Sequence, residues 1–210
     1  MSRRRRSVIF IVCLLLLALL ICLDRSPIRR RWRRQPKNGE KLKACDFEKY
    51  HGKTFTIVKV VDGDTIDIGV PDGKYNHTRI RLWGIDTPET KKPGTPVMYF
   101  GPEATEFAKK LALGEQVTVY LDEGNRTRGY YGRLLAYIQL PDKSFLNEVL
   151  VAEGFAYADL RFRHSFYYKY QNLQASARRQ KKGLWLKVTH EQLPEWLKRK
   201  KPNLLSVRTP

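Results

Sequence analysis

A chain of 210 residues has room for one domain of ordinary size plus extensions, which excludes a large multidomain assembly. Its 40 Lys and Arg outweigh 21 Asp and Glu, for a net charge of +19, so the expected partner class is a polyanion such as nucleic acid or anionic lipid. Three cysteines, Cys13, Cys22 and Cys45, make neither a disulfide framework nor a structural zinc site, and four scattered histidines argue against histidine-based nucleophilic chemistry.

The charge is uneven. Residues 1–44 hold ten Arg and three Lys against Asp24 and Glu40, so +11 of the +19 lies there. Residues 3–6 are all arginine, and residues 8–23 form an unbroken apolar run of 16. As a helix that run would be about 24 Å long, short of the roughly 30 Å hydrocarbon core. Flanking arginines could snorkel and extend it. Residues 1–24 therefore read as a signal anchor or a cleaved signal peptide. The next residues, Asp24-Arg25-Ser26-Pro27, offer no small-x-small cleavage pattern, which favours the anchor. Residues 25–50 read as a basic juxtamembrane linker, able to lie on anionic headgroups. Arginines on both sides of the run, at residues 3–6 and within 29–34, leave its orientation open. The expected location is membrane-anchored with the domain outside the cytoplasm, or secreted if the leader is cleaved.

The domain reads as residues 51–186. Residues 56–61 are β-branched and apolar, hence a strand, interrupted by Asp62-Gly63-Asp64. Asp62 suits a turn former. Residues 65–70 alternate with Ile66, Ile68 and Val70 on one face, and Pro71-Asp72-Gly73-Lys74 turns the chain. Residues 78–83 return, with Ile80 and Leu82 on one face and Arg79 and Arg81 on the other. A turn centred near Asp72-Gly73 places Asp64 across from about Arg81, with bulges free to shift the pairing. The chain then presents Asp86, Pro88 and Glu89 within a few residues of Arg81. A cation for phosphate, a carboxylate for a metal and a carboxylate for a proton meet at a strand end, where scaffolds tend to place chemistry.

Gly101-Pro102-Glu103 opens a helix that Gly114 ends. Residues 116–121 are a fourth strand, residues 122–132 a polar Gly-rich loop, and residues 133–140 a fifth strand. Short helices follow over 145–153 and 167–182. Residues 187–210 form a basic tail, with a further short helix over 195–200. Five short strands with helices between and after them suit an α+β fold: a five-stranded OB-fold-like β-barrel with about three helices, preceded by an N-terminal hydrophobic helix.

Several motifs in one order carry a family resemblance. They are Asp62-Gly63-Asp64-Thr65, Arg81 with Asp86-Thr87-Pro88-Glu89-Thr90, Gly101-Pro102-Glu103-Ala104, Tyr131-Gly132-Arg133 with Leu135-Ala136-Tyr137, and Asn147-Glu148 with Gly154. Over about residues 53–186 the chain resembles the staphylococcal-nuclease-type (thermonuclease, SNase-like) domains. The resemblance implies a Ca²⁺-dependent phosphodiesterase cleaving DNA and RNA with little sequence preference. It implies that Asp64, Asp86 and the Thr87 carbonyl hold one Ca²⁺, an oxygen-ligand set suited to a hard cation. It further implies that Glu89 orients or deprotonates the attacking water and that Arg81 and Arg133 grip the scissile phosphate. An EF-hand does not fit, because Asp62-x-Asp64-x-Ile66 lacks the third oxygen ligand.

The sequence also departs from the family. Tyr131 matches a nucleotide-contacting tyrosine, but Tyr130 stands where a lysine is expected. Two base-side tyrosines would fall near Leu160 and Phe162, so stacking is left to Phe162. The implied partners are nucleic acid and, through the leader, a membrane, with the protein a monomer. The competing reading is a catalytically silent, membrane-tethered nucleic-acid-binding module; the intact set Asp64, Arg81, Asp86, Glu89 and Arg133 favours the enzyme.

Overall fold

Alternating apolar residues on five strands close a barrel. The computed structural model describes residues 38–90 and 97–205. The chain divides into two units, residues 1–42 and 43–210. The described part of the first is the start of helix α1 (Asn38–Tyr50). The apolar run over residues 8–23 lies outside the described residues, as does the loop over residues 91–96. Among the described residues no helix is long and apolar enough to cross a membrane.

The strands are β1 (Lys53–Asp62), β2 (Thr65–Ile68), β3 (Thr78–Leu82), β5 (Gln116–Tyr120) and β6 (Leu134–Gln139). They close in the order β1-β2-β3-β6-β5. All neighbours are antiparallel except β3 and β6. Closure leaves no open edge. Ile57, Ile66, Ile80, Val117, Val119 and Ile138 are fully buried. Helices α2 (Gly101–Ala112) and α3 (Leu146–Ala152) pack on the barrel strands, and α4 (Tyr167–Arg179) packs against α3. The five strands and three helices match the expected OB-like plan. The stretch read as the end of a linker is instead helical from Asn38 to Tyr50. Its apolar spacing is poor, and Asp46 holds it by accepting bonds from Thr127 Oγ1 at 2.6 Å and Arg128 Nη2 at 2.5 Å.

The hairpin register differs from expectation by one residue, with Thr65 rather than Asp64 opposite Arg81. Irregularities in β1 near Lys59 and Asp62 let the chain turn at Asp62-Gly63-Asp64 without losing its face. Asp64 N donates to Asp62 Oδ1 at 3.2 Å, the turn-forming role expected of Asp62.

A two-stranded ribbon of β4 (Ile85–Asp86) and β7 (Tyr157–Ala158) stands beside the barrel. Such short strands carry no periodicity to read. Asn147, fully buried on α3, ties the barrel end together. Its amide donates to Trp83 O at 3.0 Å, and its oxygen accepts from Ile138 N at 3.0 Å. Gly84 links β3 to β4 with a φ of +81°, and a Cβ there would lie 2.4 Å from the His164 ring. A second apolar cluster joins Tyr157, Leu160, Leu184 and Trp185 to Leu193, Trp196 and Leu197 of the tail. It seats the short helix α5 (Glu195–Lys200), which falls where the tail helix was expected.

His164 is a core residue. Its Nδ1 lies 3.1 Å from Tyr137 Oη, and Tyr137 donates to Asp122 at 2.8 Å. Burial pushes the imidazole down to about 4 from its ordinary 6.5, against the pull of Asp122 and Asp159. Between those values the unfolded chain binds the proton that the folded one refuses. Stability is therefore full above pH 6.5 and falls as pH drops toward 4, by on the order of 3 kcal/mol. Urea unfolding at pH 7 and pH 4.5 should show this loss, and it should shrink markedly in His164→Gln.

Candidate active site

Three backbone features bring the site together. The turn between β1 and β2 presents Asp64, the end of β3 presents Arg81, and β4 presents Asp86. Gly63 packs against Thr87 so closely that a Cβ would lie 2.8 Å from Thr87 Cγ2. That approach lets the Thr87 N–H donate to Asp64 Oδ2 at 2.8 Å. Residues 23 apart in sequence are thus locked together, and the carboxylate of Asp64 is aimed.

Arg81 bridges the two aspartates. Its Nη1 pairs with Asp64 Oδ1, and its Nη2 donates to Asp86 Oδ1 at 2.5 Å. The side chains of Arg81, Asp64 and Asp86 are 15%, 7% and 18% exposed, so these charges meet with little water between them. Burial lowers the Arg81 pKa, opposed by Asp86, yet its ordinary value is so high that the guanidinium stays charged.

Arg133, at the foot of β6, is differently placed. Its Nη1 lies 3.5 Å from Thr65 Oγ1, and its guanidinium sits 5.9 Å from the Tyr131 ring. Among the described residues it pairs with no carboxylate, so its donors are available to an anion. Glu89 lines the same cleft, and its Oε1 accepts from Thr90 N at 3.0 Å. Tyr130 and Tyr131, 88% and 80% exposed, stand on the rim. Arg128 anchors their loop through Asp46, Asp72 and Gly132 O. Burial opposes the charge of Arg128, but its bonds to Asp46 and Asp72 outweigh that and raise its pKa. Phe162 lies across the cleft, stacked on Trp83 at 5.7 Å between ring centres. Leu160 is buried in the second apolar cluster, so of the two base-side positions Phe162 alone reaches the cleft.

Every predicted site residue therefore lines one cleft of about 740 Å³, large enough for a nucleotide. Sequence reasoning missed three contributors. Arg161 Nη2 donates to Asp86 Oδ1 at 3.0 Å and to Asp159 Oδ2 at 2.9 Å. Trp196, far along the chain, donates its indole N–H to Asp86 Oδ2 at 2.7 Å. The Asp159-x-Arg161 spacing is a weak signal for such a pair, and nothing in the tail sequence names a target for Trp196.

Comparison with known proteins gives this geometry its family. A sequence model of the family described as staphylococcal nuclease homologue matches residues 79–187. The chain belongs to the staphylococcal nuclease family. It is 38% identical over 151 residues to a thermonuclease of Staphylococcus hyicus, covering 69% of this chain and 82% of that one. A thermonuclease of Staphylococcus intermedius is 42% identical over 107 residues, 51% of this chain and 60% of that one. Endonuclease YncB of Bacillus subtilis is 41% identical over 101 residues, 48% and 46% of the two chains. The matched family segment begins after Asp64 and ends before Trp196.

The donor set suits a hard cation. The Oδ1 atoms of Asp64 and Asp86 converge on one guanidinium, so the two carboxylates lie within reach of one positive centre. Among the described residues no group of three or more His, Cys, Asp or Glu could hold a metal. Two carboxylates with backbone carbonyl and water would instead complete an oxygen shell, which Ca²⁺ tolerates and a softer metal would not prefer.

Gly63→Ala tests the locking contact. The added methyl has to push Thr87 away from Asp64. Hydrolysis of DNA should fall by about a hundredfold, the scale of a misplaced site, while far-ultraviolet circular dichroism stays unchanged. An unaltered rate would show that this contact does not position the carboxylates.

Proposed function

We propose that this chain is a Ca²⁺-dependent endonuclease that hydrolyses phosphodiester bonds of DNA, and of RNA, with little sequence preference. The endonuclease class rests on family membership. The observation that carries the finer reading is the convergence of Asp64 and Asp86 on Arg81, with Glu89 and Arg133 in the same cleft.

Asp64, Asp86 and the Thr87 carbonyl would hold the ion, which when bound supplies positive charge to a phosphate oxygen and to the attacking water. Glu89 accepts a proton from that water or orients it. Arg133 donates to phosphate oxygens, and Arg81 adds its charge at the same end of the cleft. Charge already fixed in place before the reaction stabilises the five-coordinate phosphate without reorganisation. Tyr130 and Tyr131 on one rim and Phe162 on the other offer faces for unpaired bases, which favours a single-stranded or frayed substrate. Aromatic faces stack on any base, so sequence preference is weak.

The reading extends to location. The apolar run over residues 8–23 tethers the domain, or directs its release, outside the cytoplasm. Weak calcium sites fill there, because the ion is abundant. Mass spectrometry of the mature amino terminus should find residues 1–24 retained; a terminus beyond residue 24 would replace the tether with secretion.

The full chain with millimolar Ca²⁺ should degrade single-stranded DNA, and a chelator should abolish this. Intact DNA after long incubation would favour a silent binding module. Arg81→Ala and Arg133→Ala should each lower the rate by roughly 10³–10⁵, the range for arginines that stabilise phosphoryl transition states. A loss under tenfold would remove that residue from the mechanism.

A further inference from the structure

The tail lies outside the matched family segment, yet it reaches into the site. Helix α5 is seated by apolar contacts: Leu197 is fully buried and Trp196 is 8% exposed, both in the cluster with Leu160, Leu184 and Trp185. From that seat the Trp196 indole N–H donates to Asp86 Oδ2 at 2.7 Å. The ring also carries the Arg161 guanidinium, 4.8 Å from its centre. Arg161 in turn is clamped by Asp159 and donates to Asp86 Oδ1 at 3.0 Å.

The far oxygen of each carboxylate is held alike. On Asp64, one oxygen accepts from the Thr87 N–H and the other faces Arg81. On Asp86, one oxygen accepts from the Trp196 N–H and the other faces both Arg81 and Arg161. Each carboxylate thus has an outer oxygen pinned by a neutral, buried N–H and an inner oxygen turned to a shared positive centre. A donor that pins the far oxygen of a carboxylate fixes the direction of the near one and spares the bound state the entropy of ordering it. A neutral indole does this without adding a charge that would compete with a metal ion.

We propose that Trp196 is a positioning residue for Asp86, so that the carboxy-terminal helix completes the divalent-cation site. The proposal rests on the Ca²⁺ site argued above. Its distinctive content is that a segment beyond the family domain sets the affinity of the ion.

Calorimetric titration of the metal-free, full-length chain with Ca²⁺ tests it. Trp196→Phe keeps an aromatic ring in the cluster and removes the N–H; Trp196→Leu makes the same test with an aliphatic filler if the phenyl variant does not fold. Trp185→Phe is the matched control, since the Trp185 N–H has no hydrogen-bond partner among the described residues and sits in the same cluster. The expected result is a 10- to 100-fold weaker Ca²⁺ dissociation constant for the Trp196 variants, with little change for Trp185→Phe. Nuclease assays should agree: more Ca²⁺ for half-maximal rate, with kcat largely restored at saturating Ca²⁺. Equal weakening in Trp185→Phe would reduce Trp196 to packing and overturn the proposal. Wild-type binding that is unchanged in the Trp196 variants would overturn it while leaving the Ca²⁺ site intact. No Ca²⁺ binding by the wild type would remove both.

Discussion

One guanidinium holds the site together. Asp64 comes from a turn between strands and Asp86 from a two-residue strand across the barrel mouth. Two carboxylates facing each other with little water repel, and burying either without a partner would cost several kcal/mol. Arg81, delivered by β3, answers both at once. Much of the surrounding architecture serves to put β3 where it can do this. Asn147 ties the Trp83 carbonyl to β6, Gly84 turns the chain over His164, and Gly63 admits Thr87 against Asp64.

The same arrangement explains why the barrel is a suitable scaffold. Closure fixes the relative height of β2, β3 and β6, so Thr65, Arg81 and Leu135 keep register with one another. Arg133 leaves the foot of β6 toward the cleft that Arg81 enters from β3. Among the described residues Arg81 is committed to carboxylates and Arg133 is not. That division suits a centre that must hold a cation and an anion side by side. Tyr130 and Tyr131 on one rim and Phe162 on the other line the same cleft.

Much of this was legible in the sequence because it is local. Alternation in residues 65–70 and 78–83 marks two strands, and glycines at 101, 114 and 154 mark helix ends. The acids and arginines of the site were legible as motifs, and their convergence followed from a hairpin, even though the turn between β2 and β3 sets the register one residue from the expected one. The β4–β7 ribbon was not legible, since two-residue strands have no period. Helix α1 was hidden by its charge, because Asp46 and Arg128 hold it through contacts 82 residues apart. The reach of Trp196 to Asp86 spans 110 residues and depends on how the tail folds back. Contacts of that kind belong to the tertiary structure alone.

The account stands on Asp64 and Asp86 sharing one divalent ion beside Arg133. A crystal structure of the chain grown with Ca²⁺ and a nucleoside bisphosphate tests this most directly. It should show a single ion bound by oxygens of both aspartates at 2.3–2.6 Å, with the Arg133 guanidinium on the phosphate. An ion bound by only one of the two, or a phosphate seated away from Arg133, would contradict it.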